Sequence, residues 1–371
     1  MAENEVLVGT RKGLFVLHGG RSGPMQIAAR CFDRDPVEYA CFDPRTGTYL
    51  AAVRHWPEEM ALEFFPGSKF GPHIYLASDP AGEWEDVGSF QLPEGSEKVT
   101  STWVIQPGTE EGVLWAGVMP AALFRSDDGG RSWRLNQALW DEPTRPSWQP
   151  GGAGLCLHSI CPDPSDPARL SIAISSAGVW TTEDSGAHWR RTVKGLPRWP
   201  EDADDAASAQ CVHNMHRVPS QPDTLYLQFH GGVFRSDDGA EHWEPIAEGL
   251  PSDFGLPLAI DANNPDRAFV IPLGSEMDRV TAEGKVRVFG TEDRGHHWQA
   301  LTNGLPQKDA YLTVLREAFT SDGADPLGLF FGATSGVVFG SGDGGASWFT
   351  AADHLPPVLS VRMGRLGTAG A

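Results

Sequence analysis

The chain has 371 residues with 29 basic and 49 acidic side chains, a net charge of −20, so it lacks the basic footprint of a protein that binds nucleic acid or an anionic membrane. Its 43 Gly and 29 Pro among 40% hydrophobic residues describe a turn-rich globular protein, and no stretch approaches transmembrane length. Five cysteines without CxxC spacing, and a start with no basic segment ahead of an apolar run, lead us to expect reduced thiols and a cytoplasmic location.

Taken in order, the chain opens with three short apolar strands at residues 5–8, 13–17 and 25–28. Six units of four strands follow, a to d, beginning near Val37, Thr100, Leu157, Val212, Leu256 and Tyr311. The third is the clearest: strands at 157–161, 170–174 and 179–181 are separated by turn residues, and a fourth starts at Trp189. After the sixth unit a single apolar strand remains at 357–362. Three strands without a strand a at one end, and one strand without partners at the other, combine into a seventh unit. We therefore expect an all-β fold: a seven-bladed β-propeller over residues 1–371 as a single domain, its closing blade shared between the N-terminal strands and the C-terminal strand.

The turn between strands c and d recurs. Ser126-Asp-Asp128-Gly-Gly130-Arg-Ser-Trp133 has full copies at 182–189, 291–298 and 341–348, a copy at 236–243 with Ala240 in the glycine position, and a shortened one at 78–84. The hydroxyl and carboxylate of Ser/Thr-x-Asp-x-Gly-x-x-Trp can accept backbone N–H groups inside their own turn, glycine takes a positive φ, and Trp covers the outer edge of the blade. Trp133, Trp189 and Trp298 are expected to be largely buried. The spacing lacks the alternating acids and distant Glu of an EF-hand calcium loop.

These residues resemble the Asp-box, or BNR-repeat, propellers, the fold of sialidases and of many bacterial proteins labelled glycosyl hydrolases. Stretches 118–126, 150–160 and 250–257 look like a bacterial sialidase-like subfamily. The resemblance implies the fold; true sialidase activity would need further residues. Sialidases carry an arginine triad whose first member sits in a Phe/Tyr-Arg-Ile-Pro motif, and a Tyr nucleophile. The corresponding region here reads Leu7-Val-Gly-Thr-Arg11-Lys-Gly, so no sialidase residue is carried over.

Strand order places the repeated turns on one face and the b–c and d–a connections on the other, where function is expected. Long connections at 55–72, 141–154 and 198–210 lie on that second face, the last holding the acidic run 201–205. Shifting blade three by 55 residues superposes His158 on His213 and Cys156 on Cys211, and shifting by −120 brings Glu38 to the same level. His230 ends strand b of blade four. We expect His158, His213, His230, Glu38 and Arg316 to be catalytic candidates and Arg11, Lys12, Asp253 and Arg54 to bind substrate. If one divalent metal ion is bound, His158, His213 and His230 are its expected ligands. Cys156 and Cys211 read as small buried groups.

This residue set suits a hydrolase or lyase acting on a small-molecule or glycan ligand in a His-lined axial pocket. The alternative is a non-catalytic propeller scaffold that binds a protein or peptide.

Overall fold

The computed structural model describes residues 4–56, 69–198 and 209–365. Seven antiparallel four-stranded sheets form the molecule, and the innermost strand of each packs against that of the next around a closed ring. Blade three consists of Leu157–Asp163, Asp166–Ile174, Gly178–Thr182 and Arg190–Arg191. In the closing blade, Val358–Met363 from the C-terminus lies inside Asn4–Thr10, Gly13–Gly19 and Gln26–Cys31. Val8 pairs with Val361 and Leu7 with Arg362. Joining the two ends in one sheet leaves no inner edge unpaired, the usual hazard of an open sheet.

The repeated turns share one geometry. In blade two the Ser126 hydroxyl donates to Asp128 Oδ1 at 2.8 Å and accepts from the Gly130 N–H at 2.8 Å, while Asp128 Oδ1 accepts from the Ser132 N–H at 2.9 Å. Thr182 and Asp184 repeat these bonds in blade three, and Thr291 and Asp293 in blade five. The glycine position sits at φ 92° in Gly130, and Ala240 adopts φ 81° in its copy, a region unfavourable for any residue with a Cβ.

Trp133, Trp189 and Trp298 are half-buried, whereas Trp243 and Trp348 are buried. The expectation of general burial is corrected because these rings lie on the outermost strand, where only a neighbouring blade covers them. Blade six also differs: its strand a is Phe319–Ser321, not a strand from Tyr311. Residues 311–313 bond to blade five's long b–c connection, with the Thr281 N–H donating to the Leu312 carbonyl at 2.9 Å and Thr313 Oγ1 to the Arg279 carbonyl at 2.8 Å. Tyr311 is exposed. Of the long connections, 141–154 is described; it follows a one-turn helix at Gln137–Trp140 and holds a 3₁₀ turn at Arg145–Ser147; residues 57–68 and the acidic run 201–205 lie outside the described residues.

Candidate functional site

A β-bulge recurs near the start of the innermost strands. The ladder register skips Glu38 in blade one, Trp103 in blade two, His158 in blade three and His213 in blade four. A bulge frees its residue from the pleat and re-aims the side chain. Three of these side chains reach the next blade. Glu38 accepts from Ser101 Oγ and the Thr102 N–H, each at 2.9 Å. His158 Nε2 donates to the Val212 carbonyl at 3.0 Å, and His213 Nδ1 to the Gly255 carbonyl at 2.6 Å.

His158 is therefore a blade-to-blade tie. Its second nitrogen, Nδ1, accepts from Ser159 Oγ at 2.9 Å, and the ring is 1% exposed. Burial, reinforced by the Arg316 charge, holds it well below the usual imidazole range. With both nitrogens engaged it is no metal ligand, and the expected trio of His158, His213 and His230 is corrected. The group that does converge is Cys211, His213 and His230, whose ligand atoms all lie within 4.8 Å of one another. Cys211 Sγ is 3.7 Å from His213 Nε2, and the rings of His213 and His230 stand edge to face at 5.2 Å.

Beside this cluster, the propeller axis holds a pocket of about 200 Å³. Its walls come from five blades: Arg11, Glu38, Trp103, Arg279, Arg316 and Glu317 are the polar and aromatic members that matter. The floor is closed by bonds across the axis. Asn214 Nδ2 donates to the Arg316 carbonyl at 2.9 Å, and Arg362 donates to the Tyr39 hydroxyl at 2.9 Å and to the carboxylate of Glu317.

The charges in this pocket are unevenly paired. Arg54 Nε meets Glu38 Oε1 at 2.8 Å, but Arg11, Arg279 and Arg316 form no salt bridge among the described residues. Arg316 is 6% exposed and lies over the Trp103 ring at 4.9 Å, with the Cys156 sulfur 3.5 Å away. Thr102 Oγ1, Trp103 Nε1 and Glu317 Oε1 are buried with no hydrogen-bond partner among the described residues. Burial raises the carboxyl of Glu38 against the pull of Arg54, and that of Glu317 against Arg362.

Two expected residues stand elsewhere. Lys12 lines a wider groove of about 700 Å³ outside the axis, shared with Arg34, Arg54, His55 and Lys98. Asp253 is exposed at the rim, where its charge bears on His230. Arg11 and Arg54 line both spaces. Trp103, Arg279, Glu276 and the ligating geometry of Cys211 were not foreseen. The alignment by 55 that superposes His158 on His213 also lands on Trp103, and the 15-residue gap between Pro272 and Val288 marks the loop of Glu276 and Arg279.

No family model matches the chain. Among curated proteins it is similar to an oligoxyloglucan-reducing end-specific xyloglucanase of Emericella nidulans, 23% identical over 216 residues, or 50% of this chain and 25% of that protein; the chain spans about a quarter of this relative's length. Among solved structures, an ancestral GH74 enzyme aligns with a TM-score of 0.55 and 15% identity over 96% of this chain and 39% of its own. YCF48 from Cyanidioschyzon merolae aligns at 0.51 and 12%, covering 94% and 88%. A Bacteroides fragilis protein described as a candidate 6-phosphogluconolactonase aligns at 0.60 and 10%, covering 97% and 98%. At such identities these likenesses establish the propeller fold.

Proposed function

We propose that the axial pocket is the working site of a hydrolase or lyase that takes a small, anionic, hydroxyl-rich ligand, with an acidic sugar unit the best fit. The observation that carries this reading is one axial cavity lined by Arg11, Arg279 and Arg316, three guanidinium groups with no salt-bridged carboxylate among the described residues, beside the Trp103 ring. Arg316 is buried in the pocket wall, and Trp103 Nε1, Thr102 Oγ1 and Glu317 Oε1 lie unpartnered within the same wall. Positive side chains gathered around a concave, partly apolar pocket suit an anionic ligand that completes the charge pairing. The guanidinium groups match a carboxylate, and the Trp103 face offers an apolar platform for a sugar ring.

In this reading Arg316, with Arg11 and Arg279, clamps the anion. Glu38 then serves as the acid or base, since burial raises its proton affinity and such a carboxyl can hold and release a proton nearer neutrality. The likeness to a xyloglucanase places carbohydrates first among substrates to screen. The test is a panel of uronic acids, sialic acid and their glycosides, assayed for binding by calorimetry and for turnover. Glu38→Gln should keep binding and lose turnover, while Arg316→Gln should lose binding. A panel in which neither acidic nor neutral sugars bind overturns the reading.

One observation favours the scaffold alternative: the wider groove carries Arg11, Lys12, Arg34 and Arg54, with Trp56 and Phe70 at 42% and 40% exposure beside them. Such a surface suits an acidic peptide. Binding of acidic peptides that survives Arg316→Gln, with no turnover of any sugar, would put this alternative ahead.

A further inference from the structure

We infer that Cys211, His213, His230 and Glu276 form a binding site for one zinc-like divalent ion that pins the long connection of blade five, and with it Arg279, over the axial pocket. The donors come from three places in the chain. Cys211 and His213 stand at the start of blade four's inner strand, His230 follows its strand b, and Glu276 belongs to the connection between Pro272 and Val288 of blade five.

The four donors stand close enough for one ion to take them all after small side-chain shifts. Cys211 Sγ and His213 Nε2 are already 3.7 Å apart, close to the separation of two ligands on one tetrahedral zinc, whose bonds to sulfur and nitrogen are about 2.3 and 2.0–2.1 Å. His213 is oriented as metal-binding histidines are. Its Nδ1–H is committed to the Gly255 carbonyl at 2.6 Å, which leaves the lone pair of Nε2 facing the cluster. His230 Nε2 donates to Glu276 Oε2 at 2.5 Å; a bound ion takes the place of that proton, which passes to Nδ1, and the two ligand atoms part to the spacing of tetrahedral zinc. Phe254 packs against both imidazoles, with ring centroids at 5.2 and 5.3 Å, and fixes their planes.

The donor set, one thiolate, two imidazoles and one carboxylate, selects zinc or cobalt over magnesium or calcium, which take oxygen ligands. The charges close as well: thiolate and carboxylate supply two negative charges against the two of the ion. Both imidazoles are held neutral, the ligating form, chiefly by burial. Cys211, held protonated by burial, must give up its proton to the buffer as the ion binds. Glu276 is 44% exposed, which opens a way in.

The consequence for the pocket runs through four residues. The Arg279 Nε donates to the Glu276 carbonyl at 2.8 Å, so an ion held by Glu276 holds the backbone that anchors a pocket arginine. This site stands on its own geometry and does not depend on the hydrolytic reading.

The test uses the full chain stripped with a chelator, then titrated with cobalt(II) and zinc(II) chloride. One equivalent of cobalt should give tetrahedral visible bands and a thiolate-to-cobalt charge-transfer band. Cys211→Ser should abolish that band and weaken zinc by at least tenfold, Glu276→Gln and His230→Ala should each weaken it, and the exposed His297→Ala should change nothing. Zinc should raise the melting temperature of the parent and leave that of Cys211→Ser unmoved. No stoichiometric cobalt spectrum, or one that persists in Cys211→Ser with circular dichroism unchanged, overturns the site.

Discussion

The indole Nε1 of Trp243 donates to the carbonyl oxygen of Thr192, one blade back, at 3.0 Å. Trp189 makes the same backward bond to Asn136 Oδ1 at 3.0 Å, and Trp298 to the Ile246 carbonyl at 2.6 Å. The repeated turn thus ends in a clip that fastens each of these blades to its predecessor. Replacing Trp243 by Ala should cost about 3–5 kcal/mol through lost packing. Trp243→Phe keeps most of the ring and should cost about 1–3 kcal/mol, because the Thr192 carbonyl loses its donor. Urea melts measure both, and equal stability of the Phe variant and the parent would remove the clip. Ligand binding in the axial pocket, on the opposite face, should not change.

Ala240 holds φ 81° where the other turns have glycine. Its amide still bonds the Ser236 hydroxyl at 2.9 Å, so the turn is kept at the cost of a strained backbone. Ala240→Gly should relieve about 1–2 kcal/mol of strain and return about 0.4–1 kcal/mol of it as added freedom in the unfolded chain. The expected outcome is a modest net gain in stability. A clear loss in chemical denaturation would show that the Ala240 methyl matters more than the strain.

Removing residues 357–371 deletes the inner strand of the closing blade, with Val358 and Val361 fully buried in it. It also deletes Arg362, which ties Tyr39 and Glu317 at the pocket floor. The truncated chain should melt far below the parent or fail to stay soluble. Coincident thermal melts of the two would contradict the closure.

The buried histidines should make the fold sensitive to acid. His158 is neutral and buried in the folded state, so below about pH 6.5 its unfolded counterpart takes up a proton that the folded ring refuses, and stability falls as pH drops. His213, lowered to about 3, acts in the same direction. Each contributes up to about 1.4 kcal/mol per pH unit. Asp86, Asp184 and Asp293, lowered to about 2, lose their share only below the ordinary Asp range, whereas the raised Glu38 and Glu317 work the other way, taking up protons in the folded state above the free carboxyl range and so easing the cost of their burial as pH drops. Unfolding free energies from pH 7.5 to 5.5 should therefore fall more steeply, or rise less, in the parent than in His158→Gln. Parallel profiles of the parent and His158→Gln would contradict this assignment.

What the sequence determined by itself was whatever is encoded by local chemistry repeated along the chain. Ser126, Asp128 and Gly130 close their turn with bonds that span at most four residues, so their spacing alone announced the blades. The unpartnered strands at the two ends announced the closure, because seven equivalent sheets leave one place for each. The superposition of His158 on His213 was likewise legible, since both occupy the bulge of an inner strand. Tertiary structure alone decided what those equivalent positions do. Two identical residues one blade apart meet different neighbours: His158 finds the Ser159 hydroxyl and the Val212 carbonyl, whereas His213 turns its Nε2 toward the Cys211 sulfur. Arg279 and Glu276 arrive from a connection with no repeat to mark them, and Trp103 gains its meaning only when Arg316, 213 positions later, lies across its ring. Repetition fixes the frame through short-range bonds, while the site depends on contacts between segments that share no local rule.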